Sequence, residues 1–230
     1  MTALEHPLRL AVGSHRAGSG KGCAMNVVSW ESGDTMITDL PACADPMLAR
    51  IVQRVNDTIC RHRDSDLLCP ACSMKVLDLA HRIVGTGTHP LTDLERHRVW
   101  VRVAADQARQ VLHLTTAPEA LAAIEAAERW CDGAVSAQHC CAAATAATDA
   151  YAYAAATAAT AAYAADAYAA AYAYAAAYAA ADAYAAADAE RLRLAHLAVD
   201  VWCKWAGFTP TAPEPVIVTK AIERMLEVTQ

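Results

Sequence analysis

The stretch "DAYAAAYAYAAAYAAADAYAAADAE", residues 166–190, consists almost entirely of Ala and Tyr. It belongs to a tract, residues 142–189, that contains 32 Ala, 8 Tyr, 4 Thr and 4 Asp and no other residue type. Ala has the highest helix propensity, and neither Gly nor Pro occurs between Gly133 and Gly207. The composition therefore predicts a very long Ala/Tyr-rich helix over residues 134–206, about 110 Å in length.

The Tyr side chains surround this predicted helix when they are placed at about 100° per residue, so they form no single face. They also follow no heptad, which disfavours an ordinary coiled coil. Ala on every side allows helix backbones to approach closely, and a helix that is apolar all round is normally buried. The tract thus predicts self-association into a homo-oligomer. The alternative is a low-complexity helix without a specific partner.

The remainder of the chain predicts a small helical head with short flanking segments. Residues 1–22, rich in Gly, Ser and basic residues, predict a flexible arm, and residues 23–133 predict an α-rich head. Within the head, "NVVSWESGDTMIT" at residues 26–38 predicts a β-hairpin, because apolar residues flank a Gly-containing turn. Residues 207–230 predict a short C-terminal helix. The expected fold class is therefore mainly α, with one hairpin and one very long helix.

Helix start and stop signals divide the predicted head. Asp45 followed by Pro46 predicts the cap and first position of an amphipathic helix. A second helix is expected to begin near Pro70. Thr92 with Glu95 predicts a capping box at the start of a third helix, and a similar pattern from Thr116 to Glu119 predicts a fourth that ends at Asp132-Gly133.

Charge and cysteine content indicate the setting in which the chain works. The formal net charge is -6, so no global basic signal for nucleic acid is present. The chain has nine Cys, an odd number, and the residues before Val12 lack the apolar core of a signal peptide. Four Asp interrupt the Ala/Tyr tract, which argues against a membrane span. We therefore expect a reduced, cytoplasmic protein without a membrane or nucleic-acid partner.

The segment "CRHRDSDLLCPAC", residues 60–72, predicts a metal site. Cys69 and Cys72 have the two-residue spacing that lets both thiolates reach one zinc ion. Cys60 and His62 lie just upstream and complete a four-ligand set, with Cys43 as a substitute ligand. A structural zinc ion is the predicted cofactor. Two alternatives stay open at this point: a redox pair at a helix N-terminus, and ordinary reduced thiols.

No pattern of residues indicates catalysis. The sequence contains no HExxH motif and no GxSxG elbow, and its histidines are scattered over several predicted helices, at His81, His97, His113, His139 and His196. Arg96, His97, Arg98 and Arg102 predict a basic patch on one helix, of the kind that is usually a solvated face. No small-molecule substrate is indicated. The chain is therefore expected to be a non-enzyme.

Two segments resemble a family of uncharacterised Ala-rich proteins of actinobacteria and their phages. They are "GKGCAMNVVSWESGDTMITDLPACADPMLARIVQRVNDTIC" at residues 20–60 and "AHLAVDVWCKWAG" at residues 195–207. The resemblance implies a bacterial or viral cytosolic setting, and it transfers no functional residue to this chain.

The sequence as a whole favours a non-enzymatic assembly or interaction protein that self-associates through its long helix. The alternative is a nucleic-acid-binding or regulatory module whose head is stabilised by zinc.

Overall fold

The structure is a computed structural model in which five gaps separate the described segments. The described residues are 9–13, 15, 21–60, 65–114, 116–149 and 188–211. They are mainly helical and include no β-strand, although one isolated antiparallel bridge joins Ala11 to Leu67. They form two compact units, one up to His89 (with residues 210 and 211) and one from Pro90 to Thr209.

Seven α-helices and one 3-10 turn make up the described part of the chain. The first unit contains three helices: α1 (Ala24–Glu31), α2 (Pro46–Thr58) and α3 (Pro70–His81). The second unit contains α4 (Asp93–Val111), the 3-10 turn Leu112–Leu114, α5 (Pro118–Cys131), α6 (Ala137–Asp149) and α7 (Asp188–Ala206).

The predicted β-hairpin at residues 26–38 is wrong, because this region begins with helix α1. The side chain of Asn26 caps the helix by accepting the N–H of Cys23 at 3.0 Å. Val27 and Val28, which favoured a strand, are buried on this helix. Gly33, with φ of +81°, lies just beyond the helix end, and its N–H donates to Trp30. The Gly that predicted a hairpin turn therefore ends a helix instead.

Helices α1, α2 and α3 pack against one another and enclose the core of the first unit. The predicted amphipathic helix is confirmed as α2, with Asp45 as its N-cap and Pro46 at its first position. Its predicted apolar stripe is buried throughout: Leu48, Ile51, Val52, Val55 and Ile59.

An extended segment, residues 9–13, lies beside the chain that leads into α3. The N–H of Leu68 donates to the carbonyl of Leu10 at 2.8 Å, and the N–H of Val12 donates to Asp66 at 2.9 Å. Leu10 is fully buried. This part of the predicted flexible arm therefore helps to fix the segment that precedes α3. The other residues of the arm are not described, apart from His15, Lys21 and Gly22.

The second unit is organised around α4, which packs against both α5 and α7. The Thr92–Glu95 capping box at the start of α4 is confirmed. Helix α5 begins at Pro118 as expected, but its N-cap is Ala117 and makes no side-chain cap bond, so the second predicted capping box is wrong. Helix α6 packs against α5.

The prediction of one very long helix over residues 134–206 is contradicted by the contacts of its two ends. Such a helix would separate Cys140 from Leu194 by about 80 Å, at ~1.5 Å per residue. Instead, the Cys140 thiol donates to a carbonyl of α5 at 3.3 Å. Helix α5 is tied to α4 through Glu128 and Arg109 at 2.7 Å, and Gln107 of α4 donates to the carbonyl of Leu194 at 3.1 Å. Both ends therefore belong to one helical bundle.

The longest described helices, α4 and α7, have 19 residues each. The centre of the Ala/Tyr tract, residues 150–187, lies outside the described residues, as does most of the predicted C-terminal helix at 207–230. Helix α7 ends at Ala206, and Gly207 follows with φ of +67°, so the predicted glycine stop is confirmed.

Candidate metal centre

Three cysteine sulfurs come together where α2 ends and α3 begins. The Sγ atoms of Cys60, Cys69 and Cys72 all lie within 4.8 Å of one another. We call these residues the three-cysteine cluster. Each residue offers one ligand atom, so the cluster could hold a metal ion. It is the one group of three or more potential metal-binding side chains within the described segments.

Local helix signals place the three sulfurs. Helix α2 ends at Thr58, and Cys60 lies two residues beyond this end. Pro70 occupies the first position of α3, and Cys69 is therefore its N-cap, with extended backbone angles of φ −67° and ψ 157°. Cys72 lies in the first turn of the same helix. N-cap and third-position side chains approach each other at a helix start, so the CxxC spacing brings two of the sulfurs together.

The extended segment at residues 9–13 also holds residues 66–68, which lead into Cys69. Besides its backbone pairing with residues 66–68, Arg9 donates its Nε–H to the carbonyl of Leu68 at 3.0 Å. The hydroxyl of Ser73, one residue after the cluster, accepts the N–H of Leu10 at 3.0 Å. The start of α3 is thus anchored on both sides of Cys69.

The three thiols differ in their access to solvent. Cys60 and Cys72 are buried, with 4% and 8% of their surfaces exposed, whereas Cys69 is half-buried. The backbone N–H of Cys69 donates to the Sγ of Cys60 at 3.4 Å, which orients Cys60 toward the cluster. The Sγ of Cys72 lies 4.0 Å from the carbonyl oxygen of Ile59. One sulfur of the cluster is therefore accessible from outside, and two face the core.

The surroundings of Cys69 and Cys72 shift the pKa values of these two thiols in opposite directions. The backbone N–H of Cys72 and then the Cys72 thiol lower the pKa of Cys69 below its ordinary value. Burial, followed by the neighbouring Cys69 and Cys60 groups, raises the pKa of Cys72 to about 12. Thiols bind metal ions as thiolates, so metal binding by this cluster must release protons and must weaken as the pH falls.

The structure brings together three of the four ligands that the sequence predicts. His62, the fourth, lies outside the described residues, which omit 61–64. Cys43, the predicted substitute, is not part of the cluster. Its Sγ instead accepts the hydroxyl of Ser32 at 3.0 Å, in the loop between α1 and α2. The three thiols are therefore the part of the predicted site on which a metal proposal can rest.

The predicted basic patch on α4 is engaged in contacts within the second unit. Arg102 pairs with Asp132, and its guanidinium carbon lies 4.2 Å from the centre of the Trp205 ring. The rings of His97 and Trp130 are 4.9 Å apart. Through these contacts, Arg102 and His97 join α4 to the ends of α5 and α7.

A buried pair that the sequence does not predict connects α1 to α3. The Nε2 of His81 lies 2.7 Å from a carboxylate oxygen of Glu31, and each side chain is only 8% exposed. The two residues are fifty positions apart in the chain, and no local motif links them. Their pairing depends on the packing of α1 against α3, so sequence patterns could not have found it.

No protein-family model, characterised protein or solved structure matches the chain, so the resemblance noted from its sequence stays a prediction. In the part of the chain that the structure describes, no helix combines the length and apolarity that crossing a membrane requires. The three-cysteine cluster is accordingly interpreted from its own geometry.

Proposed function

We propose that this chain is a non-enzymatic zinc-binding protein, in which Cys60, Cys69 and Cys72 hold one structural zinc ion in the first unit. The observation that carries the proposal is the convergence of three sulfurs, from two separate helix ends, within 4.8 Å. Only two of these cysteines share a local motif. The third is brought to them by the fold, as expected for a built site rather than a chance sequence pair.

The dimensions and the chemistry of the cluster suit zinc. Zinc binds thiolates at about 2.3 Å in tetrahedral geometry, which places two ligand sulfurs roughly 3.8 Å apart. Three sulfurs within 4.8 Å can meet that spacing with small side-chain movements. Thiolates favour soft or borderline ions such as zinc over magnesium or calcium. We retain His62 as the proposed fourth ligand, because imidazole completes many three-cysteine zinc sites.

A structural role follows from where the ion would lie. It would join the end of α2 to the start of α3 and so close the loop between Cys60 and Cys69. The first unit contains three short helices, and two of the sulfurs already face its core. Binding an ion at such a position makes part of the metal-binding free energy available for folding.

The wider role that we propose is binding or assembly rather than catalysis. The Ala-rich composition of residues 142–189 supports close helix packing, and α6, which carries the first part of that tract, already packs in this way against α5. Self-association of the remaining tract stays a prediction. A nucleic-acid partner is not included, because the formal net charge is -6.

The proposal is tested by the zinc content of the purified full-length chain. We expect about one zinc ion per chain, and a lower melting temperature after a chelator removes it. Cys60→Ser and Cys72→Ser should each lower the zinc content. Cys141→Ser, on α6 in the second unit, is the matched control and should retain zinc. A reduced wild-type chain that holds no zinc and binds none on titration would refute the proposal.

A further inference from the structure

We propose that the three-cysteine cluster also carries out thiol–disulfide exchange with small-molecule disulfides, with Cys69 as the attacking sulfur and Cys72 as the resolving one. This activity goes beyond the proposed zinc binding, although it uses the same sulfurs. It rests on the position of the two cysteines at the start of α3 and on the difference in their exposure.

The attacking role falls to Cys69 because it is the accessible member of the cluster. Cys60 and Cys72 are 4% and 8% exposed, so an external disulfide cannot approach their sulfurs without opening the core. Cys69 is half-buried and occupies the N-cap of α3.

The resolving role falls to Cys72, in the first turn of the same helix. Its Sγ belongs to the group of sulfurs that lie within 4.8 Å of one another. A disulfide requires sulfurs about 2.05 Å apart and Cα atoms roughly 4.4–6.8 Å apart, which N-cap and third-position residues satisfy without moving the backbone far. Cys60 comes from a separate segment, beyond the end of α2, whereas Cys72 shares the first turn of α3 with Cys69, so we assign the resolving role to Cys72.

The exchange proceeds in two balanced steps. First, the Cys69 thiolate attacks one sulfur of the external disulfide; a mixed disulfide forms, the external S–S bond breaks, and one small thiolate leaves and takes a proton from water. Second, Cys72 gives its proton to water and its sulfur attacks the Sγ of Cys69; the Cys69–Cys72 disulfide forms, the mixed S–S bond breaks, and the second small thiolate leaves and takes a proton from water. The two cysteines are oxidised to a disulfide, and the external disulfide is reduced to two thiols.

The Cys69–Cys72 disulfide would remove two of the three proposed zinc ligands. Exchange and metal binding are therefore competing uses of one set of sulfurs, and oxidation should release bound zinc. We expect one zinc ion to be released for each disulfide formed.

The experiment uses the reduced full-length chain, whose zinc content is measured first, and oxidised glutathione as the probe. Samples taken over time are alkylated, digested and analysed by mass spectrometry. We expect the Cys69–Cys72 disulfide to form at least about tenfold faster than glutathione attaches to Cys43, which is half-buried and lies outside the cluster. Cys69→Ser should abolish the reaction at the cluster, whereas Cys72→Ser should leave glutathione attached to Cys69.

The outcomes separate this activity from zinc binding. A chain that contains zinc but acquires glutathione on Cys43 before any Cys69–Cys72 disulfide appears would overturn the exchange proposal and leave the zinc site intact. A chain that holds no zinc and binds none on titration, but still forms the disulfide, would support exchange and refute the zinc site. A dominant disulfide between other cysteines, such as Cys140 and Cys141, would also overturn the proposal.

Discussion

Gly87 has no room for a side chain. A Cβ atom at this position would lie 2.3 Å from the carbonyl oxygen of Ala42 and 2.7 Å from that of Ala44. The close approach exists because the turn after α3 wraps the loop before α2: the N–H groups of Gly85 and Gly87 both donate to the carbonyl of Cys43, at 2.7 and 3.1 Å. Only glycine, which has no Cβ, therefore permits this contact between the two segments of the first unit.

We expect Gly87→Ala to lower the free energy of unfolding by about 1–3 kcal/mol, because backbone atoms of the facing loop would have to move. Gly22→Ala is the matched control. Apart from the residues next to it in the chain, the atom nearest to its Cβ would be the Cβ of Asn26, at 3.3 Å, so its stability loss should be smaller. Urea-induced unfolding of both variants measures the difference. Equal stability losses at the two positions would show that the tight contact at Gly87 is not real.

The cysteines show how far residue spacing alone predicts a site. Cys69 and Cys72 could be assigned to a common site because CxxC at a helix start brings two sulfurs together regardless of the rest of the fold. Cys60 could be added because it follows a helix with strong start signals. The exclusion of Cys43 could not be predicted, since its hydrogen bond to Ser32 and its position depend on how the loop between α1 and α2 packs.

At the scale of the helices, boundaries set by side-chain chemistry were predictable, and the choice between strand and helix was not. Asp45, Thr92 and Gly207 each act locally, as caps or stops, and their roles follow from the sequence. Val27 and Val28 favour a strand by propensity, but the short α1 is buried along most of its length, and a short buried apolar run has no periodicity that distinguishes the two structures.

The cap of α2 gives a prediction at this scale. The carboxylate of Asp45 accepts the N–H groups of Met47 at 2.9 Å and Leu48 at 3.4 Å, while its own N–H donates to Thr86 at 2.8 Å. Asp45→Ala should lower the free energy of unfolding by about 1–2 kcal/mol, because the first turn of α2 loses its acceptor.

Asp45→Asn is the matched control for the cap, since its amide oxygen can still accept the same N–H groups. It should lose less than half as much stability as Asp45→Ala in thermal unfolding. If the two variants were equally unstable, the carboxylate would be contributing through its charge rather than through the cap bonds.

At the scale of the whole molecule, composition predicted helicity but not the path of the chain. Ala-rich sequence specifies helix without specifying where a helix turns, because Ala supplies no side chain large enough to fix a tertiary position. The side-chain hydrogen bonds that join α4 to α5 and α7 use residues outside the Ala/Tyr tract, such as Gln107, Arg109 and Glu128. One very long helix was therefore the simplest prediction from the tract, and an incorrect one.

The division into two units predicts where metal removal acts. If zinc fixes the loop between Cys60 and Cys69, chelation should raise amide hydrogen exchange at Val12 and Leu68, whose N–H groups pair the extended segment with that loop. We expect an increase of about tenfold or more there, and little change in α4, α5 and α7, because local opening follows cooperative units.

Hydrogen exchange followed by mass spectrometry, with and without chelator, makes this comparison. Cys60→Ser should reproduce the effect of the chelator in the first unit. An equal rise in exchange across both units would contradict a local role for the metal.

X-ray absorption at the zinc edge of the full-length chain tests most directly whether the three sulfurs bind one zinc ion. We predict three sulfur neighbours at about 2.3 Å and one nitrogen or oxygen neighbour at about 2.0–2.2 Å. Cys72→Ser should reduce the sulfur count to two or abolish binding. A first shell of nitrogen and oxygen atoms alone, or one with four sulfurs, would contradict the site formed by Cys60, Cys69 and Cys72.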